Sequence, residues 1–291
     1  MATTEHQMSS DRADGLTPQP RIWPPPQPSA RRPGSPPLFG YLLDLDDDLA
    51  QEIEVRMRFS ARQHATARIL CADSGACELG SWFETVGDGP GLLLLDGVMA
   101  LETRVADRVV TELVGAGDLL QPPAPCADDL VQRCTTWRVL DPARLALLDS
   151  DFSERVRSWP QLSRALCRRT ERRMCDLAAL RAICGQPKLE VRLVLLLWHL
   201  AGRWGRVEPS GLRLCLPLTH RLLGQLVAAE RPSISHALAR LSHACIVTGS
   251  AGDWHLHGSL EDHLENLIER TPRLSAPEQT GEDAPRRSVR A

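Results

Sequence analysis

The sequence has few aromatic residues, a single lysine and no long apolar run. Aromatic side chains make up 4% of its 291 residues, so its hydrophobic cores must be built mainly from Leu, Val, Ile and Ala. The best apolar stretch, residues 193–198, is far shorter than the roughly 18 to 20 residues of a membrane-spanning helix. Residues 1–21 also lack the apolar segment of a secretory signal. We therefore expect a cytoplasmic protein without membrane contact.

The cysteines lack the spacing of a disulfide framework or a zinc ribbon. There are nine of them, an odd number, and no two form a C-x-x-C pair. In a reducing compartment we expect most of them to be small core residues, with no metal site and no cofactor. The alternative is a thiol switch between Cys71 and Cys77, or between Cys126 and Cys134.

Basic charge is concentrated in one segment. The whole chain has a formal net charge of −3, whereas residues 185–258 contain eight basic residues against four acidic ones, a net charge of +4. A modestly basic segment therefore lies in an otherwise acidic chain.

Composition and periodicity divide the chain into five parts and predict an α+β fold. Short apolar runs alternate with Gly- and Asp-containing turns at spacings of roughly 8 to 12 residues, which is typical of an antiparallel jelly roll. A helix-forming stretch of about 25 residues follows from Gln161. The predicted parts are a disordered Pro-rich tail (1–37), a jelly roll (38–152), a long helix (153–184), a second domain (185–258), and a terminal helix with a disordered tail (259–291).

Two local patterns in the jelly-roll region carry further predictions. Residues 41–55 predict an amphipathic helix with an acidic start, because carboxylates favour the positive end of a helix. A metal-binding loop is the alternative there, although the stretch lacks the Gly and the closing Glu of an EF-hand loop. Asp96-Gly97 predicts a turn between two strands.

Residues 217–258 carry the most specific pattern. Thr219 can cap a helix with one apolar face, and a short turn at residues 228–230 leads to a second helix with Pro232 in its first turn. The polar side chains of the second helix are available to solvent or to DNA: Arg231, Ser235, His236 and Arg240. A two-stranded wing follows, so the segment predicts a winged helix-turn-helix.

This pattern favours DNA as the partner. Polar groups at the start of the second helix can reach base edges, while its free N–H groups and dipole favour phosphate. Arg231 is the candidate for a bidentate contact to guanine, which is worth about 1–3 kcal/mol of discrimination. The alternative is that Arg231 is a solvated surface residue.

The order of jelly roll, long helix and winged helix-turn-helix resembles the Crp/Fnr transcription regulators. The residues that carry the resemblance are Leu218-Thr219, Gly224-Gln225-Leu226-Val227, Arg231, Leu238, Leu241 and Ile246-Val247. It implies a sensor-like domain at 38–152, a homodimer through 153–184, and a DNA-binding domain at 185–258. The two recognition helices would lie in successive major grooves, about 34 Å apart. RNA polymerase is a further candidate partner.

The resemblance also assigns single residues. Arg231 matches the family's guanine-reading Arg, and Thr219, His220 and Ser233 match positions that contact phosphate. Pro232 and His236 stand where many members have a base-reading Glu and a second Arg, so we expect a different operator.

The sensor half lacks the signals of the family's known effectors. Gly117-Asp118 is followed by residues 119–127, with three prolines and no credible phosphate-binding cassette; the nearest remnant is Arg133-Cys134-Thr135. Residues 1–70 contain no cysteine for an iron–sulfur cluster. We therefore predict no cyclic nucleotide and leave the effector open.

Two other functions compete with DNA-binding regulation. A cupin-like metal enzyme needs clustered histidines on the sheet, where the sequence has only His64. His255 and His257 share one strand face, but they lie in the predicted wing, where contact with phosphate or simple exposure to solvent is favoured. We therefore expect no enzyme. The third possibility is a protein-interaction module that has lost DNA binding, which Pro232 favours.

Overall fold

The computed structural model describes residues 38–122, 130–250 and 252–269. The predicted disordered tail at 1–37 lies outside these ranges, as do residues 270–291, which include the predicted C-terminal tail, and Cys126 of one alternative thiol pair.

The first part of the chain forms an antiparallel seven-stranded sheet with the order β1-β2-β7-β4-β5, in which β3 pairs with β7 and β6 with β4. The strands are β1 (Leu38–Tyr41), β2 (Thr66–Ala72), β3 (Gly75–Cys77), β4 (Gly91–Val105), β5 (Arg108–Gly115), β6 (Leu119–Leu120) and β7 (Arg133–Leu148). Side chains alternate between two faces along β4, so Leu93 and Leu95 enter one hydrophobic core and Leu92 and Leu94 enter another. The sheet is therefore covered on both faces.

Asp96-Gly97 lies inside β4, and the predicted turn there is wrong. β4 continues through this dipeptide, and its pairing with β7 shifts register between Leu94 and Val98. Gly97 takes a φ of +89°, and a Cβ on it would lie 2.5 Å from the carbonyl oxygen of Pro142. The Gly and Asp therefore mark a β-bulge, which bends a strand without ending it.

Short helices flank the sheet: α1 (Leu42–Leu45), α2 (Asp47–Gln51), a 3-10 turn (Val55–Met57), α3 (Arg58–His64), α4 (Gly80–Val86) and α5 (Ser150–Arg155). The prediction of a single helix over 41–55 is wrong, because the helix is interrupted at Asp46, between α1 and α2. The Asp46 carboxylate accepts the backbone N–H of Leu49 at 3.1 Å and so caps α2.

The long helix α6 (Pro160–Cys184) begins one residue before the predicted start. Its buried apolar side chains, Leu162, Ala165, Leu166 and Ile183, pack within the chain. Met174 and Leu177 are instead 66% and 41% exposed. Spacings of three and four residues align these two with Ser163, Cys167, Thr170 and Arg181. We call this stripe of six residues the α6 seam.

Arg169 anchors α6 to the sheet domain. Its guanidinium is buried and donates to Asp46 at 2.7 Å and to the carbonyl oxygen of Gly117, in the turn between β5 and β6, at 2.9 Å. Asp46 is buried as well, so this ion pair is shielded from water.

We expect Asp46→Ala to destabilise the fold strongly. Removing one partner of a buried ion pair costs about 3–5 kcal/mol, because the other charge stays buried. Chemical denaturation measures the loss in the free energy of unfolding. Asp44→Ala is the matched control, since Asp44 pairs with Arg62 in an exposed ion pair that is worth about 0–1 kcal/mol. Equal losses in the two variants would contradict this account.

The remaining elements form a second α/β unit. Its helices are α7 (Leu189–Trp204), α8 (His220–Val227), α9 (Arg231–His243) and α10 (Leu260–Glu269), and its strands are β8 (Gly205–Glu208), β9 (Gly211–Leu214), β10 (Val247–Ser250) and β11 (Asp253–Leu256). The strands form one antiparallel sheet with the order β10-β11-β9-β8, so the predicted two-stranded wing is half of a larger sheet. Across the described ranges, no helix has the length and apolar content to cross a membrane.

The two units share a hydrophobic core. Val98, Ala100 and Leu113 of the first sheet belong to the same buried cluster as Leu222 and Leu226 of α8. The domain arrangement is therefore held by buried apolar contact.

A buried carboxylate also joins the two units. Asp118 is 1% exposed, and Arg203 of α7 reaches its Oδ2 atom at 2.8 Å and the carbonyl oxygen of Ala116 at 3.0 Å. Trp204 packs against Gly115, where a Cβ would lie 2.8 Å from the indole ring.

The prediction that most cysteines are core residues is wrong. All eight cysteines in the described ranges are free thiols, and five are exposed: Cys71, Cys134, Cys167, Cys175 and Cys245. Cys71 and Cys134 lie on strands, Cys167 and Cys175 on α6, and Cys245 in the turn after α9. Composition alone does not distinguish such exposed positions from buried ones. Burial raises the pKa of the Cys77 thiol, which makes it a poorer nucleophile for the alternative, a thiol switch with Cys71.

Candidate nucleic-acid interface

Helices α8 and α9 form a tight helix-turn-helix. Ala228 ends α8 in the left-handed conformation, with a φ of 54°, and the N–H of Ala229 donates to the carbonyl oxygen of Gly224 at 2.8 Å. A Cβ on Gly224 would lie 2.5 Å from the carbonyl oxygen of Ala229. The turn therefore requires glycine at position 224 and fixes the angle between the two helices.

Thr219 caps α8, as predicted from its sequence position. Its Oγ1 atom accepts the N–H of Leu222 at 3.2 Å. Thr219→Ala is expected to lower the free energy of unfolding by about 0.5–2 kcal/mol, whereas Thr219→Ser retains the cap. Thermal and chemical unfolding of both variants measure this difference. If Thr219→Ser is as unstable as Thr219→Ala, the hydroxyl does not act as the cap.

The start of α9 is open to solvent. Arg231 and Pro232 form its first turn, and the side chain of the preceding Glu230 makes no capping hydrogen bond. Free N–H groups at a helix N-terminus attract anions such as phosphate. The apolar side of the helix, Ile234, Ala237, Leu238 and Leu241, is buried. Arg231, Ser233 and His236 are exposed on the other side.

Some of the predicted site residues contact each other. His220 Nδ1 and Ser235 Oγ lie 2.8 Å apart in a hydrogen bond that joins α8 to α9. Arg240 pairs with Glu190 of α7. In the part of the chain that the structure describes, the side chains of Arg231, Ser233 and His236 have no hydrogen bond or ion pair. These three are therefore the free groups of the predicted set, while His220, Ser235 and Arg240 also position the helices.

The wing is held by polar contacts that the sequence did not reveal. Arg213 of β9 binds both carboxylate oxygens of Asp253 at 2.8 and 2.9 Å. These hydrogen bonds hold the pKa of the Asp253 carboxyl below its ordinary value. His257 Nε2 lies 2.8 Å from Thr248 Oγ1, and its ring stacks on that of His255 with centroids 6.5 Å apart.

A contact from the first sheet, which no sequence motif indicates, also reaches the start of α9. Arg108, at the tip of the β4–β5 hairpin, forms an ion pair with Glu230 beside the start of α9. These residues are 122 positions apart, so no local signal connects them.

The sheet domain supplies no comparable cluster. Within residues 38–122, 130–250 and 252–269, no group of three or more His, Cys, Asp or Glu side chains could hold a metal ion. His64 lies in α3 rather than on a strand, and its Nδ1 atom is 3.0 Å from the carbonyl oxygen of Ser60. Arg133 and Cys134, the nearest remnant of a phosphate cassette, begin β7 opposite Val105 and Arg104 of β4.

Comparison with known proteins identifies the fold of this chain. No family model and no curated protein matches the chain. Solved structures of Crp/Fnr regulators do match it. FixK2 from Bradyrhizobium japonicum is 15% identical over 69% of this chain and 96% of its own, with a TM-score of 0.52. The chain has the Crp/Fnr fold.

Two further structures agree with this assignment. A variant of CooA from Carboxydothermus hydrogenoformans is 16% identical over 69% of this chain and 87% of its own, with a TM-score of 0.51. The c-di-GMP-responsive regulator CLP from Xanthomonas campestris is 15% identical over 74% of this chain and 100% of its own, with a TM-score of 0.50. The predicted α+β fold class and the resemblance to Crp/Fnr proteins are therefore confirmed at the level of fold. The comparison does not favour the cupin-like alternative.

Proposed function

We propose that this protein is a sequence-specific DNA-binding regulator of transcription that acts as a homodimer. The observation that carries the proposal is the open start of α9, where Arg231 is exposed without a partner among the described residues and the helix N–H groups have no side-chain cap. In a helix-turn-helix, this end of the second helix enters the major groove. The Crp/Fnr fold places such a unit after a long helix, as in this chain.

Each exposed group of α9 has a specific role in this proposal. The planar guanidinium of Arg231 binds the O6 and N7 atoms of a guanine, and Ser233 and the Thr219 hydroxyl bind flanking phosphates. His236 lies one turn further along α9 and faces the same groove. His220 and Ser235 hold the two helices together through their hydrogen bond and contact phosphate from that position.

The α6 seam supports the homodimer. It leaves Met174 and Leu177, two large apolar side chains, exposed in a helix that buries Leu162, Leu166 and Ile183. Spacings of three and four residues are those of a helix that packs along a second helix. A two-fold axis along α6 would present two copies of α9 to DNA, so we expect an operator with two inverted half-sites. The sensor-like domain (38–152), dimerisation helix (153–184) and DNA-binding domain (185–258) belong to the same proposal, with RNA polymerase as a further candidate partner.

Equilibrium binding to DNA tests the proposal. Fluorescence anisotropy is measured with the duplex upstream of the gene and with a scrambled duplex of the same composition, over a series of salt concentrations. We expect tighter binding to the native sequence and a steep fall in affinity with salt, because lysine and arginine contacts release counterions from DNA. Equal, weak binding to both duplexes at every salt concentration would favour the interaction module that has lost DNA binding.

A further inference from the structure

A basic groove separates the β4–β5 hairpin from the helix-turn-helix. Its volume is about 920 Å³, and its walls include Arg104 and Arg108 of the hairpin, and Arg221 and Arg231 of the helical pair. Two acidic residues, Asp107 and Glu230, also line it. Four guanidinium groups against two carboxylates give the groove a net positive charge at the start of α9.

Buried contacts hold the hairpin at this place. Away from the hairpin tip, β4 contributes Val98 and Ala100 and β5 contributes Leu113 to a hydrophobic core. Leu222 and Leu226 of α8 belong to the same core. Separating the hairpin from α8 would expose this apolar surface to water, which is unfavourable. DNA that reaches α9 in this arrangement therefore also meets the hairpin tip.

The ion pair between Arg108 and Glu230 is weak enough for another anion to replace the Glu230 carboxylate. Both side chains are largely exposed, at 68% and 70%, and an ion pair of this kind contributes little to stability because water screens it. Such a pair is too weak to lock the start of α9. A DNA phosphate can replace the carboxylate as the partner of Arg108 at little cost.

We propose that the tip of the β4–β5 hairpin is a second DNA-contacting element of each protomer. Arg104 and Arg108 bind backbone phosphates beside the base pairs that α9 reads, so the strand passes through the basic groove. This inference rests on the proposed DNA-binding function. It assigns to the sensor-like domain a direct, sequence-independent share of the affinity, since phosphate contacts carry no base information.

The test compares Arg104→Ala and Arg108→Ala with the unaltered protein by fluorescence anisotropy. Each variant is expected to weaken binding to the preferred and the scrambled duplex by the same factor. The slope of log affinity against log salt is negative, and it should become shallower by about 0.9 for each lost phosphate contact, or by about 1.8 for a dimer. Glu230→Gln should strengthen binding to both duplexes, because it removes a negative charge from the groove. Arg157→Ala is the matched control, since Arg157 is an exposed arginine that pairs with Glu154 on α5.

The sign of the Arg108→Ala effect decides between this proposal and its opposite. Tighter binding in that variant would mean that the hairpin obstructs DNA, and would overturn the proposal. Unchanged affinity and salt slope in both arginine variants, with Arg231→Ala still weakened, would overturn it while leaving the proposed function intact. If the unaltered protein binds no DNA at any salt concentration, the function and this inference fail together. Unfolding temperatures of all variants establish that the comparison is between folded proteins.

Discussion

Replacing Arg231 by Ala is expected to weaken binding to the preferred duplex by about 1–3 kcal/mol for each half-site. This loss corresponds to a factor of roughly 5 to 150 in the dissociation constant for each half-site. The physical reason is that Arg231 is exposed at the first turn of α9, where its planar guanidinium can bind two acceptors of one guanine. The preference for one base pair in each half-site should relax, while binding to scrambled DNA changes less.

Arg231→Lys is the matched control for this prediction. Lysine keeps the positive charge but lacks the bidentate geometry of the guanidinium. We expect this variant to keep the salt dependence of the unaltered protein and to lose the discrimination between base pairs. Anisotropy with duplexes that differ at single positions measures both quantities. An equal loss on every duplex in Arg231→Ala would mean that Arg231 contacts only phosphate.

The double variant Met174→Glu with Leu177→Glu is expected to be a monomer. Both side chains lie exposed on the α6 seam, and two copies of the seam would bring four new carboxylates together at the dimer axis. Loss of the second recognition helix removes the gain from simultaneous binding to two half-sites, which is about 10²–10⁴-fold. Light scattering at micromolar concentration gives the mass, and anisotropy with the preferred duplex gives the affinity.

Cys175→Glu is the control for the charge itself. Cys175 is exposed on the same helix but lies beside the seam rather than on it. This variant should remain a dimer. A dimeric mass for the Met174→Glu, Leu177→Glu protein would place the dimer contact on another surface, and a monomeric mass for the unaltered protein would refute the homodimer.

Local patterns predicted the helix-turn-helix well because its determinants are local. The Thr219 cap, the glycine at 224 and the apolar side of α9 all act within a few residues of one another. Prediction from local patterns was wrong at Asp96-Gly97. This dipeptide is typical of a turn, but here it forms a bulge in a continuous strand. Whether such a dipeptide ends a strand depends on the partner strand β7, which lies more than 35 positions further along the chain.

The groups around Arg231 were beyond local prediction for a different reason. The pairs Arg108–Glu230 and Arg240–Glu190 join residues that are 122 and 50 positions apart. The buried pair Arg169–Asp46 spans 123 positions, and it joins α6 to the cap of α2, two segments that the sequence does not place side by side. Such contacts exist only once distant segments of the chain have packed together. The exposed cysteines were missed because residue type alone does not show which face of a strand or helix a position occupies.

Selection from a library of random duplexes tests the central claim most directly. The full-length protein is incubated with the library at moderate salt, bound duplexes are recovered over successive rounds, and the enriched sequences are read. We predict an inverted repeat with a guanine in each half-site and with half-site centres about 10 base pairs, or one helical turn, apart. The Arg231→Ala protein should lose the enrichment at that guanine. A library that stays random after selection, or that yields a single unrepeated site, would contradict a dimeric reader of DNA sequence.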